Sequence, residues 1–147
     1  MDLNSEGSNP SLPSIYHNPY AYLIAHVNLA LRSKKRLNLI VCTKKVLRLI
    51  KTLRREGCLT YLLLKQHSQG RRHLIFTPYY YKQTTFFKRV QLISTISKKF
   101  TISFKALTIL DKSLKNSILL IETSRGIITH KEALRCHIGG LLLCLIS

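Results

Sequence analysis

The chain has 147 residues, 46% of them hydrophobic, with 24 Lys and Arg against 6 Asp and Glu and a formal net charge of +18. This length suits one ordinary domain or two small ones, and the apolar content favours a folded core over wholesale disorder. Between Glu6 and Asp111 the only acid is Glu56. Because nearly all of its charges are positive, the surface repels itself and favours a polyanionic partner. Nucleic acid is the leading candidate and an anionic membrane is the second.

Several classes of protein are disfavoured by the sequence. No apolar segment approaches the roughly 20 residues that span a bilayer. Asp2 and Glu6, with no Arg before Arg32, argue against a transit peptide and a secretory signal. The cysteines form no Cys-x-x-Cys pair, which disfavours zinc and a disulfide framework. The few acids offer no acid–base pair and no Gly-rich phosphate loop occurs, so we expect no enzyme, metal, cofactor or small-molecule substrate.

The N-terminal part is predicted to be helix, strand and helix behind a flexible extension at residues 1–17, which is rich in Ser, Asn and Pro. Asn18-Pro19 opens a helix that runs to about Arg32, and Leu37–Val41 reads as a strand. Thr43 then caps a second helix that ends at Gly57. Its predicted buried face comprises Val46, Leu47, Ile50 and Leu53. A basic stripe on one face of this helix comprises Lys44, Arg48, Lys51 and Arg55.

In the middle of the chain the pattern of apolar residues changes to a period of two, which is typical of strands. Strands are predicted at Cys58–Lys65, His73–Pro78, Phe87–Ile96 and Phe100–Phe104. A mostly helical stretch is expected at Lys105–Leu114. Aromatic residues alternate with basic ones at Tyr79-Tyr-Tyr-Lys82 and Phe86-Phe-Lys-Arg89. This pattern favours a packed hairpin edge with one or two exposed tyrosines, and base stacking beside phosphates is the alternative.

The last quarter of the chain predicts an anion-binding loop. A strand ends at Thr123, a turn forms at Arg125-Gly126, and Thr129 caps a short helix with Glu132 as its capping-box partner. Gly139 and Gly140 relax the backbone before a final strand, Leu141–Ile146. Hydroxyls, a guanidinium and backbone N–H groups beside a helix start suit a phosphate or a sugar hydroxyl. His130 is either a phosphate donor or an exposed helix residue.

The segment Thr123-Ser-Arg-Gly-Ile-Ile-Thr129, with Gly139-Gly140, resembles the C-terminal signature of the bacterial-type small-subunit ribosomal protein eight family, in register and without a gap. Asn18-Pro19, Thr43-Lys44 and Glu56-Gly57 match the family's helix landmarks, so the resemblance covers about residues 18–147. Two departures are Lys99-Phe100 in place of the family's Pro-Gly and Leu141 in place of its Glu.

The resemblance implies an α+β fold, with an N-terminal α/β half (18–96, two helices with a short sheet) packed on a C-terminal half (97–147) of β-strands with a short helix. It implies a structural constituent of the small ribosomal subunit, which binds the central domain of the ribosomal RNA, supports its assembly and contacts neighbouring ribosomal proteins. The residues expected to bind RNA are Thr43, Lys44, Arg48, Lys51, Arg55, Lys98, Lys99, Thr123, Ser124, Arg125, Gly126, Thr129, His130, Lys131, Gly139 and Gly140.

Two questions stay open at the level of sequence. The bias toward Leu, Ile and Lys, with no Trp, favours an organelle-encoded protein in a mitochondrial matrix ribosome, and a plastid or a bacterial cytoplasm is the alternative. Other functions compatible with the charge are a basic peripheral membrane-binding module and a non-specific nucleic-acid chaperone. The first helix is nearly uncharged, which suits a packed position better than a membrane surface.

Overall fold

The computed structural model describes residues 17–64, 72–82 and 84–147. The predicted N-terminal extension lies outside the described residues except for His17, as does the predicted end of the strand Cys58–Lys65. The chain divides into two compact units, the N-terminal unit Met1–Phe86 and the C-terminal unit Phe87–Ser147. Helices and antiparallel sheets occur together, so the predicted α+β class is confirmed.

The described part of the N-terminal unit consists of helix α1 (Pro19–Ser33), strand β1 (Asn38–Cys42), helix α2 (Lys44–Arg55), and strands β2 (Leu59–Leu63) and β3 (Arg72–Pro78). Strand β3 lies between β1 and β2 in an antiparallel sheet. The two helices contact each other, α1 also contacts β1 and β3, and α2 contacts β2. This arrangement leaves one face of α2 to solvent.

Both helices of this unit begin where the sequence predicts. The Asn18 side chain accepts a hydrogen bond from the N–H of Ala21 at 3.2 Å. The Thr43 hydroxyl accepts one from the N–H of Val46 at 3.3 Å. Each bond satisfies a backbone donor that the first helical turn would otherwise leave unpaired.

The buried face of α2 differs from the prediction, because Leu49 and Thr52 are buried and Leu47 is not. Val46, Leu49, Ile50 and Leu53 are buried, whereas Leu47 is only half-buried. The spacing of three, one and three residues places the buried set on a single helical stripe, and Leu47 falls beside it.

The C-terminal unit consists of strands β4 (Val90–Leu92) and β5 (Thr101–Ile102), helix α3 (Phe104–Leu114), strands β6 (Ile118–Thr123) and β7 (Gly126–Thr129), helix α4 (His130–Cys136) and strand β8 (Gly140–Ile146). The sheet has the order β4-β8-β6-β7, and β5 also pairs with β8. Leu107 of α3 and Ala133 of α4 pack with Leu119, Ile121 and Ile128 of the sheet. This core fixes the β6–β7 hairpin and α4 against each other.

Two predicted strands of this region are much shorter than expected. The first spans Val90–Leu92 rather than Phe87–Ile96, and the second spans Thr101–Ile102 rather than Phe100–Phe104. The second ends early because the Ser103 hydroxyl accepts the N–H of Ala106 and so starts α3.

The boundary between the halves also moves relative to the prediction. Val90 pairs with Ile146 and Leu92 with Cys144, both in β8. This pairing makes residues 87–96 part of the C-terminal unit, so the division falls after Phe86 and not after residue 96.

Candidate nucleic-acid interface

The tip of the β6–β7 hairpin presents the predicted loop to solvent. Thr123 pairs with Gly126 across the hairpin, and Ser124 and Arg125 form the exposed turn. The Thr123 hydroxyl donates to the Gly126 carbonyl at 3.0 Å and accepts the N–H of Arg125 at 3.1 Å. Gly126 has φ +100°, and a Cβ there would meet nothing within 4 Å, so the backbone angle alone requires glycine. The turn is therefore a fixed platform.

Arg125 extends from this platform to the end of α4. Its Nη1 lies 3.1 Å from Sγ of Cys136, and the Arg125 side chain remains exposed. The sequence did not reveal this contact, because it depends on the hairpin folding back over the helix. A guanidinium held at one edge retains further N–H donors for an anionic oxygen. We call Ser124, Arg125 and their supports Thr123 and Gly126 the hairpin tip.

Thr129 has a structural position rather than a free hydroxyl. It is 6% exposed, and its Oγ1 accepts the N–H of Glu132 at 3.3 Å. The predicted helix cap is confirmed. The expected contact of this hydroxyl with RNA is not supported, because the side chain is buried and engaged.

His130 lies in the interior of the C-terminal unit with 1% exposure, so both expectations for it, phosphate donor and exposed helix residue, are wrong. Its Nδ1 accepts the N–H of Leu119 at 3.1 Å, and its Nε2 lies 3.2 Å from Oδ1 of Asp111. Because Nδ1 accepts, Nε2 carries the proton that is donated to the carboxylate. Burial lowers the pKa of His130, while the Asp111 charge opposes that shift and the Lys131 charge adds to it.

Gly139 and Gly140 are required by close packing, and neither has a positive φ. A Cβ on Gly139 would overlap the carbonyl oxygen of Ile102, and one on Gly140 would lie 2.5 Å from the carbonyl oxygen of Glu122. The sequence predicts that these glycines relax the backbone, but the structure shows that glycine is needed because a side chain would not fit. These residues let β8 lie against its neighbours.

Lys98, Lys99 and Lys131 are all exposed. Lys98 lies in a tight turn, where its N–H donates to the Thr95 hydroxyl at 3.1 Å and its carbonyl accepts the N–H of Thr95 at 2.8 Å. The backbone of this turn is therefore fixed, while the ammonium groups stay available to a polyanion.

The basic stripe of the N-terminal unit lies on the solvent face of α2, and all four of its side chains are exposed. Lys45 and Arg54 are exposed as well, which widens the positive face beyond the predicted stripe. Arg55 Nε lies 3.9 Å from a carboxylate oxygen of Glu56, a loose contact at an exposed site. The predicted contact residue Thr43 is half-buried and acts as the cap of α2.

The described residues also bear on the other classes of protein. Residues 17–64, 72–82 and 84–147 contain no group of three or more His, Cys, Asp or Glu arranged to hold a metal ion. Among the helices described above, none combines the length and the apolar character that crossing a membrane requires.

The fold, the exposed basic stripe of α2 and the exposed hairpin tip define a small basic α+β protein with two antiparallel sheets. The family model described as Ribosomal protein S8 matches residues 18–147. The chain belongs to this family. It is therefore a ribosomal protein of the small subunit. The family is structural rather than enzymatic, and it binds ribosomal RNA and other proteins of that subunit.

Proposed function

We propose that this protein binds the central domain of the small-subunit ribosomal RNA and supports its folding during assembly. The observation that carries the proposal is the hairpin tip, where Ser124 and Arg125 are exposed on a turn fixed by the Thr123 hydroxyl. A rigid hydroxyl and guanidinium suit the ribose hydroxyls and phosphates of a shallow minor groove, which is read by shape more than by sequence.

The two units contribute differently to this function. The hairpin tip supplies positioned donors, whereas the basic stripe supplies charge without fixed geometry. Phosphate contacts of the second kind add affinity that falls steeply with salt. Specific recognition is therefore assigned to the hairpin tip, and Lys98, Lys99 and Lys131 supply further exposed charges in the C-terminal unit.

The proposal is tested by the double variant Ser124→Ala with Arg125→Ala. A lost hydrogen bond to a charged group costs about 1.5–3 kcal/mol, so affinity for a central-domain RNA fragment should fall roughly tenfold or more. The control is Ser113→Ala with Lys112→Ala, a pair exposed on α3 of the same unit. Unchanged affinity in the hairpin variant, with thermal melting as in the wild type, would remove the hairpin tip from the RNA interface.

We further propose that the ribosome concerned is mitochondrial. The support is compositional, namely the bias toward Leu, Ile and Lys and the lack of Trp, which fits an AT-rich organelle gene. Antibodies raised against the protein should detect it in small subunits sedimented from purified mitochondria. Its recovery from plastid ribosomes, or from a bacterial cytoplasm, would contradict this assignment.

A further inference from the structure

A contact within the N-terminal unit joins two segments that are far apart in the sequence. The Tyr80 hydroxyl, just after β3, donates to the carbonyl oxygens of Ala30 at 3.3 Å and Lys35 at 3.4 Å. Ala30 also accepts the N–H of Lys35 at 3.2 Å, which closes the end of α1. Tyr80 therefore fastens the end of the sheet to the basic loop that follows α1.

This contact brings the segment that carries Tyr79 and Tyr81 beside the basic segment that ends and follows α1. We call the group the tyrosine–lysine patch, and its members are Arg32, Lys34, Lys35, Arg36, Tyr79, Tyr81 and Lys82. Every one of these side chains is exposed. Tyr79 is 56% exposed and Tyr81 66% exposed, so both rings present much of their apolar surface to solvent.

Charge at the patch has one sign. Glu56 is the only acid between Glu6 and Asp111, and its carboxylate contacts Arg55 on α2. Burial raises the pKa of Tyr80, and the positive charge of Arg36 opposes this shift, which places that guanidinium within electrostatic reach of the ring. Lys82 Nζ lies 5.6 Å from the centre of the Tyr81 ring. A cation thus adjoins the Tyr81 ring directly, and Arg36 lies near Tyr80, the residue between the two exposed tyrosines.

Two lysines of the patch have backbone angles that favour glycine. Lys34 has φ 56° and ends α1, and Lys82 has φ 50° in the turn between Tyr81 and Thr84. The left-handed region disfavours a residue with a Cβ, so glycine or asparagine would fit better at both sites. Lysine at these positions adds charge at some expense of stability.

We propose that the tyrosine–lysine patch binds unpaired nucleotides of RNA, with bases stacked on Tyr79 and Tyr81 and phosphates held by the surrounding cations. Exposed aromatic rings beside cations are the combination by which proteins hold single-stranded nucleic acid. The inference rests on the proposed RNA-binding function and deepens it, because it assigns a single-stranded segment to the N-terminal unit. An acidic peptide would match the charges, but its carboxylates would not stack on the two exposed rings as bases do.

The test uses the full chain and two probes, an oligouridylate of about 12 nucleotides, within the usual site size, and an abasic oligomer with the same phosphates. The wild type should bind the oligouridylate roughly tenfold more tightly than the abasic oligomer. Tyr79→Leu with Tyr81→Leu should bring this ratio close to one and leave abasic binding intact. Tyr61→Leu, a half-buried tyrosine on β2, is the control and should keep the wild-type ratio.

Three outcomes would overturn the proposal: equal binding of both probes by the wild type, an unchanged ratio in the double variant, or competition by oligoglutamate as strong as that by oligouridylate. A failure of this patch is distinguishable from a failure of ribosomal recognition. If the wild type still prefers central-domain RNA over scrambled RNA, the proposed function stands and the patch alone is rejected.

A second variant separates binding from folding. Lys34→Gly removes a cation and also relieves the left-handed backbone angle. The melting temperature should therefore stay level or rise while affinity for oligouridylate falls about twofold or more, as expected when one phosphate is no longer neutralised. Unchanged affinity would reject Lys34 as part of the patch, and a fall in both quantities would assign it to the fold alone.

Discussion

Nε2 of His130 lies 3.2 Å from Oδ1 of Asp111 and joins α4 to α3 within the C-terminal unit. The same ring accepts the N–H of Leu119 at the start of β6. One buried side chain thus connects both helices of this unit to the strand that leads to the hairpin tip. This geometry requires the neutral imidazole, because a proton on Nδ1 would face the N–H of Leu119 and place two donors against each other.

This arrangement predicts that stability falls in mild acid. Burial lowers the pKa of His130 from the usual 6.5, so the unfolded chain takes up a proton at a higher pH than the native one does. Stability is therefore complete above about pH 6.5 and decreases as the pH falls below it. Thermal melting between about pH 8 and pH 5 should show this decrease in the wild type and a flatter profile in His130→Gln.

The control for that profile is His137→Gln, which alters an exposed histidine beyond α4. It should keep the wild-type pH dependence. At the partner position, Asp111→Asn retains an acceptor for Nε2 and should cost little. Asp111→Ala removes the acceptor and should cost about 1–3 kcal/mol, because the buried N–H loses its partner. Equal stability of the two Asp111 variants would contradict the assigned hydrogen bond.

Gly140 and Gly57 should respond differently to the same substitution. A Cβ on Gly140 would lie 2.5 Å from the Glu122 carbonyl oxygen and 2.8 Å from Cγ2 of Ile121. Gly140→Ala should therefore destabilise the protein by about 2–3 kcal/mol or more through overpacking. Gly57 has φ +77° and open space around its Cβ position, so Gly57→Ala should cost only about 1 kcal/mol. Chemical denaturation measures both, and similar losses would refute the packing role of Gly140.

Cys136 is a natural reporter of RNA at the hairpin tip. Cys42, Cys58 and Cys144 are buried, whereas Cys136 is half-buried and lies beside Arg125. Burial also raises the pKa of Cys58 to about 12, which keeps its thiol protonated and unreactive. Alkylation followed by mass spectrometry should modify Cys136 first, and bound central-domain RNA should slow that reaction. Equal rates with and without RNA would place the RNA elsewhere.

The basic stripe should account for part of the salt dependence of binding. Replacing Lys44, Arg48, Lys51 and Arg55 by Gln should lower the slope of log affinity against log salt by roughly 0.7–0.9 for each phosphate that the stripe neutralises. The control variant changes the same number of exposed charges in the C-terminal unit, at Lys105, Lys112, Lys115 and Arg135. Identical slopes in the two variants would mean that the stripe contributes only to overall charge.

Features set by local chemistry were predictable from the sequence. Asn18, Thr43 and Thr129 each accept a backbone N–H from the residue three positions later, as their positions before helices indicated. The hairpin turn was also predicted, but one residue late: it was expected at Arg125-Gly126 and lies at Ser124-Arg125, with Gly126 and its positive φ beginning β7. These features depend only on residues that lie within about four positions of each other in the sequence.

Features set by distant contacts were not predictable. The burial of His130 depends on Asp111, which only tertiary packing brings to it. Strand β4 is short because its extent follows its pairing with β8 rather than its own apolar pattern. The fastening of Tyr80 to the loop after α1 likewise joins residues that have no relation of spacing in the sequence.

The most direct test of specific ribosomal recognition is a salt titration of binding to a central-domain RNA fragment and to a scrambled RNA of equal length. A preference for the central-domain fragment that persists at about 0.2 M salt is expected, because positioned contacts at the hairpin tip survive where non-specific phosphate contacts weaken. Equal binding to both RNAs, disappearing together as salt rises, would contradict specific recognition and leave only a basic surface.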